Sequence, residues 1–243
     1  MVILFIDFRA AFDSVCWPAL WKVLESEHAP KIIRLLQETY TNYSSFVRIR
    51  EGASNVFTIR SGVRQGCVLS LLLFNSVVDA IMREVFSGQQ AVQIGEDQFV
   101  TDLMFADDSA VFADSDAEAN KILQEIAAIA LSYGLTMNAE KTKTLTTNGS
   151  PCTLCLNNSQ IEQVEEFKYL GSLVQQNKIS CSTEIHSRIG KAAMTFGSLT
   201  WCLWRRHNVS LTTKMRVFRS IVMSILLYGA ETWVLLKAGL QKL

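Results

Sequence analysis

The pattern of apolar and polar residues predicts strands in the first two thirds of the chain. The run VILFI (2–6) is continuously apolar and ends at Asp7, which indicates a buried strand with an acid at its carboxyl end. The segments FVRIREGASNVFTI (46–59) and QFVTDLMFADDSAVFAD (98–114) predict two hairpins. We expect the second hairpin to be buried and to turn at Asp107-Asp108. Short strands are predicted between Lys143 and Leu170.

Amphipathic segments predict helices between these strands and in the last third of the chain. Strands and helices mix without a regular alternation, which favours an α+β fold over a doubly wound sheet. The predicted helical segments are CWPALWKVLESEH (16–28), PKIIRLLQETY (30–40), VLSLLLFNSVVDAIMREVF (68–86), DAEANKILQEIAAIALSYG (116–134), and two near the end, 184–204 and 212–233.

Composition places the chain among ordinary globular proteins. Of 243 residues, 49% are hydrophobic and 19% are charged, which is enough apolar material for a sizeable core. The longest apolar run, SIVMSILLYGA (220–230), is too short to span a bilayer, so no membrane partner is expected. The start of the chain lacks the basic first part of a signal peptide. We therefore expect an intracellular protein, in the nucleus, the cytoplasm or both.

The formal net charge is zero, but the charges are unevenly distributed. From Arg188 to the end there are nine basic residues against the single acid Glu231. An acidic body with a basic tail is expected when one part gathers metal ions and another binds a polyanion. Charge alone leaves open the alternative that these residues form the solvated faces of two helices.

Six cysteines are scattered among apolar neighbours, which is typical of a reducing compartment. Cys152 and Cys155 form a single CxxC motif, and no second ligand pair follows at a matching spacing. We therefore expect no zinc site, and we interpret these two as reduced thiols in a strand or its turn.

Adjacent acids in a hairpin are usually a solvated turn, since Asp is a good turn residue. Flanking apolar residues, Phe105 and Phe112, favour a different interpretation. Carboxylates held close together persist as ions only if cations neutralise them, and a pair of Mg²⁺ ions would do so. Such chemistry needs a third acid from another strand, for which Asp7 is the candidate.

Five motifs, in order, resemble the palm motifs of reverse transcriptases. With ILLYGAETW (225–233), they are most similar to the enzymes of non-LTR (LINE-like) retrotransposons. The resemblance implies a polymerase palm over 1–173, a mixed and mainly antiparallel sheet with packed helices. A helical, basic thumb-like or connection region over 174–243 would follow. The motifs are FIDFRAAFD (5–13), GVRQGCVLS (62–70), FADD (105–108), GLTMNAEKTK (134–143) and EEFKYLGS (165–172).

The resemblance also implies catalytic roles. Asp7, Asp107 and Asp108 would be catalytic and hold two Mg²⁺ ions, with Mn²⁺ as a substitute. Lys141 would protonate the departing pyrophosphate, although a plain surface lysine is the alternative for this residue. The nucleotide-binding residues implied are Phe8, Ala10, Ala11, Phe12, Arg64, Gln65 and Gly66.

Further roles follow for nucleic-acid contacts and sugar selection. Phe12 would act as a steric gate that excludes ribonucleotides, although a plain core position is equally compatible with its sequence context. The implied primer-grip residues are Phe167, Lys168, Tyr169, Leu170 and Gly171. The implied phosphate contacts are Arg188, Lys191, Arg205, Arg206, Lys214, Arg216 and Arg219.

The function expected from these motifs is RNA-directed DNA synthesis, with an RNA template, a DNA primer and dNTPs as partners. Two alternatives stay open, namely an inactive relic that binds nucleic acid and a two-metal nuclease. The fingers and the endonuclease that accompany such enzymes are expected from other regions of a longer polyprotein, so the isolated chain should polymerise weakly. Leu71 stands where the family usually has proline, which predicts a less rigid loop there.

Overall fold

The apolar run at the start of the chain forms the fully buried strand β1 (Val2–Ile6), as its sequence predicts. The computed structural model describes residues 1–27, 29–50, 52–88, 91–94, 98–176 and 182–233. The further strands are β2 (Phe8–Arg9), β3 (Ser44–Ser45), β4 (Arg48–Ile49), β5 (Gly52–Ala53), β6 (Phe57–Thr58), β7 (Val92–Gln93), β8 (Phe99–Val100), β9 (Asp102–Phe105), β10 (Asp108–Ala113), β11 (Thr136–Met137), β12 (Lys143–Thr146), β13 (Leu154–Leu156), β14 (Ser159–Gln163), β15 (Glu166–Tyr169) and β16 (Ser172–Gln175).

Six of these strands form one sheet in the order β13-β14-β12-β1-β10-β9. All neighbouring pairs run antiparallel except β12 and β14, which are parallel. Strand β1 lies between β10 and β12, where Val2 pairs with Ala113 on one side and with Thr146 on the other. Burial on both sides of this central strand explains why its apolar run is continuous.

The chain divides into two compact units, Met1–Phe167 and Lys168–Leu243. Helices of the first unit pack with the six-stranded sheet in one hydrophobic core, in which Leu4, Phe74 and Ile126 are completely buried. Its helices are α1 (Ala11–Ser14), α2 (Trp17–Glu27), α3 (Pro30–Tyr40), α4 (Val68–Val85) and α5 (Asp116–Ser132).

The helix starts follow local sequence signals. Helix α3 begins at Pro30, whose fixed φ suits the first helical position. Helix α5 is capped by Ser115, whose hydroxyl accepts the N–H of Glu118, and two acids lie in its first turn. Gly134 follows the end of α5 with φ 84°. Helix α4 begins at Val68, so Leu71 lies at its fourth position and not at its start.

The predicted hairpins are present. In the first, the pairs β3–β6 and β4–β5 are nested. In the second, β9 pairs with β10, whereas Phe99 and Val100, predicted as part of this hairpin, form β8 and pair with β7. The α+β class with a mainly antiparallel sheet is therefore confirmed.

The second unit is helical in its described part after the hairpin β15–β16. Helix α6 (Ser182–Ser198) leads through Leu199 into a π-helical segment, Thr200–Trp204. Helix α7 (Leu211–Val217) continues into a second π-helical segment, Phe218–Met223, and then α8 (Ser224–Leu226). Lys237 and Lys242, which belong to the basic tail of the sequence, lie outside the described residues, as does Cys181. Among described residues, no helix is both long and apolar enough to cross a membrane.

Candidate catalytic site

Asp7 directly follows the buried strand β1, and its backbone groups are hydrogen-bonded to a neighbouring loop. Its N–H donates to Thr142 Oγ1 at 3.3 Å, and its carbonyl accepts the N–H of Asn138 at 2.8 Å. Thr142 is completely buried and Asp7 is half-buried, so this contact is partly shielded from solvent. The main chain of Asp7 is therefore fixed by the loop that carries Lys141.

The register of the sheet brings Asp7 and Asp108 together. Ile6 pairs with Ser109 across β1 and β10, and one further step along both strands sets Asp7 beside Asp108. Two acids that are about a hundred residues apart in the sequence thus reach the same end of neighbouring antiparallel strands.

The hairpin β9–β10 differs from its prediction in two respects. Its turn residues are Ala106 and Asp107, because Asp108 already pairs with Phe105 as the first residue of β10. Ala106 has φ 55°, the left-handed conformation that a two-residue hairpin turn requires. The predicted burial is confirmed for β10, in which Ser109 and Val111 are buried, and wrong for β9, the edge strand of the sheet, where Phe105 is 64% exposed. Asp107 and Asp108 are exposed as well.

The three carboxylates repel one another at this end of the sheet. The pKa of Asp108 is raised above its ordinary value by partial desolvation of its carboxyl, and then by the charges of Asp107 and Asp7. The Oδ2 atom of Asp7 is buried and has no hydrogen-bond partner. A buried carboxylate oxygen without a donor, next to two further carboxylates, fits a hard cation such as Mg²⁺.

In the described part of the chain, no three side chains already lie in a ligating arrangement around one point. Repulsion between like charges favours separated carboxylates when no cation neutralises them. The donor set thus fits a divalent cation, although the side chains are not arranged for one.

The segment after Asp7 carries the predicted nucleotide-side residues. Phe8 is buried in β2 and pairs with Met137, while Ala10 has φ 43° and precedes the short helix that starts at Ala11. The ring of Phe12 is half-buried and stacks on Phe74, with 4.5 Å between ring centroids. Both interpretations of Phe12 are therefore compatible with its position, since it packs on the core and keeps an accessible part.

A glycine that sequence analysis did not single out joins this segment to the loop before α4. The N–H of Gly62 donates to the carbonyl of Val15 at 2.8 Å, and its φ is 85°. A Cβ at this position would lie 2.6 Å from the carbonyl oxygen of Asp13, so only glycine fits. Its place at the start of the GVRQGC motif was the available signal.

The loop that follows Gly62 presents the other three predicted nucleotide-side residues. Arg64, Gln65 and Gly66 are all exposed. The guanidinium carbon of Arg64 lies 4.6 Å from the ring centroid of Tyr43, and its carbonyl accepts from the Ser70 hydroxyl. Gly66 has φ 83° and open space around its Cα. Open space there is compatible with close approach of a ligand to the backbone.

Lys141 lies on the exposed face of the loop that holds Asp7. Its N–H donates to the carbonyl of Asn138 at 3.2 Å, and its side chain is exposed. The neighbouring Asn138 and Thr142 hold Asp7, and the available sequence signal for both was their place within the GLTMNAEKTK motif. The loop therefore supplies an exposed cation close in sequence to the contacts that fix Asp7.

The predicted primer-grip residues form the hairpin β15–β16. The ring of Phe167, at the end of the first unit, stacks on Phe5 with 4.1 Å between centroids. Lys168 is exposed, and Tyr169 is half-buried. Leu170 and Gly171 make the turn, with φ values of 47° and 84°.

Six of the seven predicted phosphate contacts, all but Arg188, fall into two groups. Arg205, Arg206, Arg216 and Arg219 are exposed, and the Arg205 guanidinium lies 4.3 Å from the ring centroid of the exposed Trp201. Lys191 and Lys214 are half-buried, and Lys214 donates to the Trp204 carbonyl at 2.9 Å.

Arg188 departs from this surface pattern. It is only 7% exposed and is paired with Glu184, so its predicted placement among solvent-facing cations is corrected.

The CxxC pair does not converge on a common site. Cys152 is buried, whereas Cys155 is exposed on β13. Burial, and then the neighbouring Asp116, raise the pKa of the Cys152 thiol to about 11. A thiol with so high a pKa is a poor nucleophile near neutral pH.

Comparisons with known proteins agree with these observations. Residues 1–174 match the family model described as reverse transcriptase (RNA-dependent DNA polymerase). The chain is 27% identical, over 94% of its length, to the RNA-directed DNA polymerase from mobile element jockey of Drosophila funebris. It is 28% identical, over 73% of its length, to the Pol polyprotein of the type-2 retrotransposable element R2DM of Drosophila melanogaster. The predicted resemblance to the enzymes of non-LTR retrotransposons is thereby confirmed.

A solved structure shares the fold. Telomerase from Candida tropicalis, solved in complex with a fragment of telomeric RNA, superposes with a TM-score of 0.51 at 16% identity. The match covers 95% of this chain and 38% of the telomerase chain. The chain spans 25% of the jockey protein and 18% of the R2DM polyprotein, so it corresponds to a part of those longer proteins.

Proposed function

Because the chain belongs to the reverse transcriptase family, we propose that it carries the polymerase centre of an RNA-directed DNA polymerase, which extends a DNA primer on an RNA template with dNTPs. One observation supports this most strongly. Asp7 and Asp108 meet at the ends of two neighbouring antiparallel strands, and Asp107 lies in the adjoining turn. Three carboxylates in this arrangement suit nucleotidyl transfer with two divalent cations.

Asp7, Asp107 and Asp108 are the proposed ligands of two Mg²⁺ ions, for which Mn²⁺ should substitute. When bound, such ions supply the positive charge that activates the primer 3′-hydroxyl and stabilises the departing pyrophosphate. Asp7 contributes one carboxylate, and the main chain of this residue is fixed by hydrogen bonds to Thr142 and Asn138. The exposed hairpin contributes the other two carboxylates, which makes their position dependent on the turn at Ala106.

Lys141 is the proposed general acid for the pyrophosphate. Its ammonium is exposed, and its loop is joined to Asp7 through the neighbouring Thr142. A lysine near the phosphates stabilises the negative charge that develops on the leaving group and delivers a proton to it.

The incoming dNTP is proposed to lie against the segments 8–12 and 64–66. Phe12 would select deoxyribose, because its ring is supported from below by Phe74 and retains an accessible part. The carbonyl of Phe8 and the backbone at Ala10 and Ala11 would contact the metal and the phosphates, and Arg64, Gln65 and Gly66 would face the nucleotide from the loop before α4.

Nucleic-acid binding is proposed for the second part of the chain. We assign residues 1–173 to the palm and 174–243 to the thumb. The exposed Arg205, Arg206, Arg216 and Arg219, with the half-buried Lys191 and Lys214, would contact phosphates without sequence preference. The hairpin residues Phe167, Lys168, Tyr169, Leu170 and Gly171 would hold the primer end.

The test is primer extension on a poly(rA) template with dTTP and Mg²⁺. Asp107→Asn should abolish extension, whereas the matched control Asp114→Asn should retain it. Asp114 is an exposed acid at the opposite end of the same strand, so it controls for the loss of one surface charge. Full activity of Asp107→Asn would contradict the proposed mechanism.

The competing proposal is an inactive relic that binds nucleic acid. It predicts salt-sensitive binding to an RNA–DNA hybrid that Asp107→Asn does not alter, together with no synthesis by the unaltered chain. Neutralising Arg205 and Arg206 should then weaken hybrid binding. Hydrolysis of nucleic acid without added nucleotide would instead indicate the two-metal nuclease.

A further inference from the structure

The turn of the hairpin β15–β16 is held from the helical part of the second unit. Leu170 and Gly171 are both left-handed, which is the conformation of a tight two-residue turn. The Tyr228 hydroxyl donates to the Leu170 carbonyl at 2.9 Å. The Arg188 guanidinium donates to the Gly171 carbonyl. Each carbonyl of the turn thus accepts from a side chain that is distant in sequence.

Arg188 is locked into this position. Its Nε donates to Glu184 Oε1 at 2.6 Å, one helical turn earlier in α6, and both side chains are buried. Its guanidinium carbon lies 4.6 Å from the ring centroid of Tyr228. A buried arginine is tolerated only when its charge and its donors are satisfied, and here a carboxylate, a carbonyl and an aromatic face do so. Its burial therefore indicates that Arg188 stabilises the turn and does not contact phosphates.

Gly171 completes the arrangement. A Cβ at this residue would lie 3.1 Å from Cε1 of Tyr228, so the tyrosine ring lies directly against the glycine. The positive φ of Gly171 disfavours any other residue independently of this contact. Both requirements explain a glycine at the tip of the hairpin.

We propose that Arg188 and Tyr228 are positioning residues that bind the tip of the primer-grip hairpin to the helices, so that hairpin and helices hold the primer strand as one body. This inference rests on the proposed function, since it takes the hairpin as the primer contact. The division of the chain after Phe167 agrees with it, because Lys168 to Gly171, which the proposed palm range 1–173 includes, group with the helices of the second unit.

The test uses Tyr228→Phe, which removes the hydroxyl bond to Leu170 and keeps the ring against Arg188 and Gly171. Tyr133→Phe is the matched control, because it removes a hydroxyl that bonds to Glu84 in the first unit. Three quantities are compared, namely the Kd for a primer–template hybrid, the separate KM values for hybrid and dTTP, and amide hydrogen exchange in residues 168–171.

Tyr228→Phe should raise the Kd and the KM for the hybrid by about threefold to tenfold, the effect of one lost hydrogen bond. Its KM for dTTP should not change, and exchange at the turn should become faster. Arg188→Met should have a larger effect in the same direction. Tyr133→Phe should change none of these quantities.

Unchanged hybrid affinity and unchanged exchange in Tyr228→Phe would overturn the inference, and so would equal increases in both KM values. Failure of the proposed function would look different. In that case the unaltered chain would extend no primer, while hybrid binding and hydrogen exchange would still decide whether the turn positions the nucleic acid.

Discussion

Asp7 and the Asp107-Asp108 pair reach the same end of the sheet from two different environments. Asp7 follows a fully buried central strand, and its backbone is bonded to Thr142 and Asn138. The pair lies at the exposed end of an edge hairpin whose turn depends on a left-handed alanine, Ala106. The core therefore fixes one side of the proposed metal site, and an exposed turn supplies the other side.

The two sides of the proposed site differ in how firmly their carboxylates are positioned. A side chain on a buried, hydrogen-bonded segment keeps its place without a ligand. An exposed hairpin tip that carries two like charges is less constrained, and cations would draw it toward Asp7. Four predictions test this comparison, beginning with the largest expected effect.

Replacing either side of the site should stop synthesis. Asp7→Asn and Asp107→Asn should each lower primer extension by about 100-fold or more, because each removes a group that stabilises charge in the transition state. Single-turnover extension with Mg²⁺ measures this loss, with Asp114→Asn as control. If only Asp7→Asn lost activity, the Asp107 carboxylate would be dispensable, which would contradict a metal site built from both the core and the hairpin.

Substitutions at two glycines with nearly the same φ, Gly62 and Gly66, distinguish the cost of a steric clash from the cost of backbone strain. Gly62→Ala should lower the free energy of unfolding by about 2 kcal/mol or more, because its Cβ would meet the backbone of Asp13 at under 3 Å. Gly66→Ala should cost only about 1 kcal/mol, since space around it is open. Urea unfolding measures both values.

The same pair also tests function. We expect Gly66→Ala to weaken dTTP binding by more than its small stability cost explains, because close approach of the nucleotide needs that open space. Equal stability losses in the two variants would contradict the role given to the Asp13 contact.

The buried hydroxyl that holds Asp7 can be removed with little change in shape. Thr142→Val leaves the N–H of Asp7 without its acceptor and should cost about 1 to 2 kcal/mol of stability, with a lower kcat. Thr136→Val, at an exposed position in the neighbouring strand β11, is the control and should be nearly neutral. Thermal unfolding and extension rates should both distinguish the two variants. A neutral Thr142→Val would show that Asp7 is held mainly by its strand.

The smallest expected effect is on the pH dependence of stability, through Asp108 in the exposed part of the proposed site. Because the pKa of Asp108 is raised in the folded chain, the folded state binds more protons than the unfolded state between the ordinary and the raised pKa. Its contribution to stability is therefore greatest below the ordinary pKa and declines as the pH rises through the raised value. Solvent screening should keep this decline under about 1 kcal/mol.

Unfolding between pH 4 and pH 7 without divalent cations should show this decline in the unaltered chain and a flatter profile in Asp108→Asn. Added Mg²⁺ should stabilise the unaltered chain at pH 7 by more than it stabilises the variant, since binding to the folded state alone raises stability. Identical pH profiles for both proteins would exclude charge repulsion at the hairpin.

The sequence by itself predicted the central strand, the longer helices of the first unit and the proposed site residues. Apolar runs, helical periodicity and local signals such as Pro30 and Ser115 act over a few residues, so β1, α3 and α5 could be located from the printed chain. The motif with Asp107 and Asp108 could likewise be recognised, because the chemistry of adjacent acids depends on residue type and spacing.

Only the tertiary structure decided how these residues are held. The exposure of β9 depends on its edge position in the sheet, which no local pattern encodes. The bond from Asp7 to Thr142 and the contact of Gly62 with Asp13 join residues far apart in sequence. The burial of Arg188 depends on the meeting of α6 with the hairpin turn and Tyr228. Such long-range contacts arise from packing, which composition and periodicity constrain but do not specify.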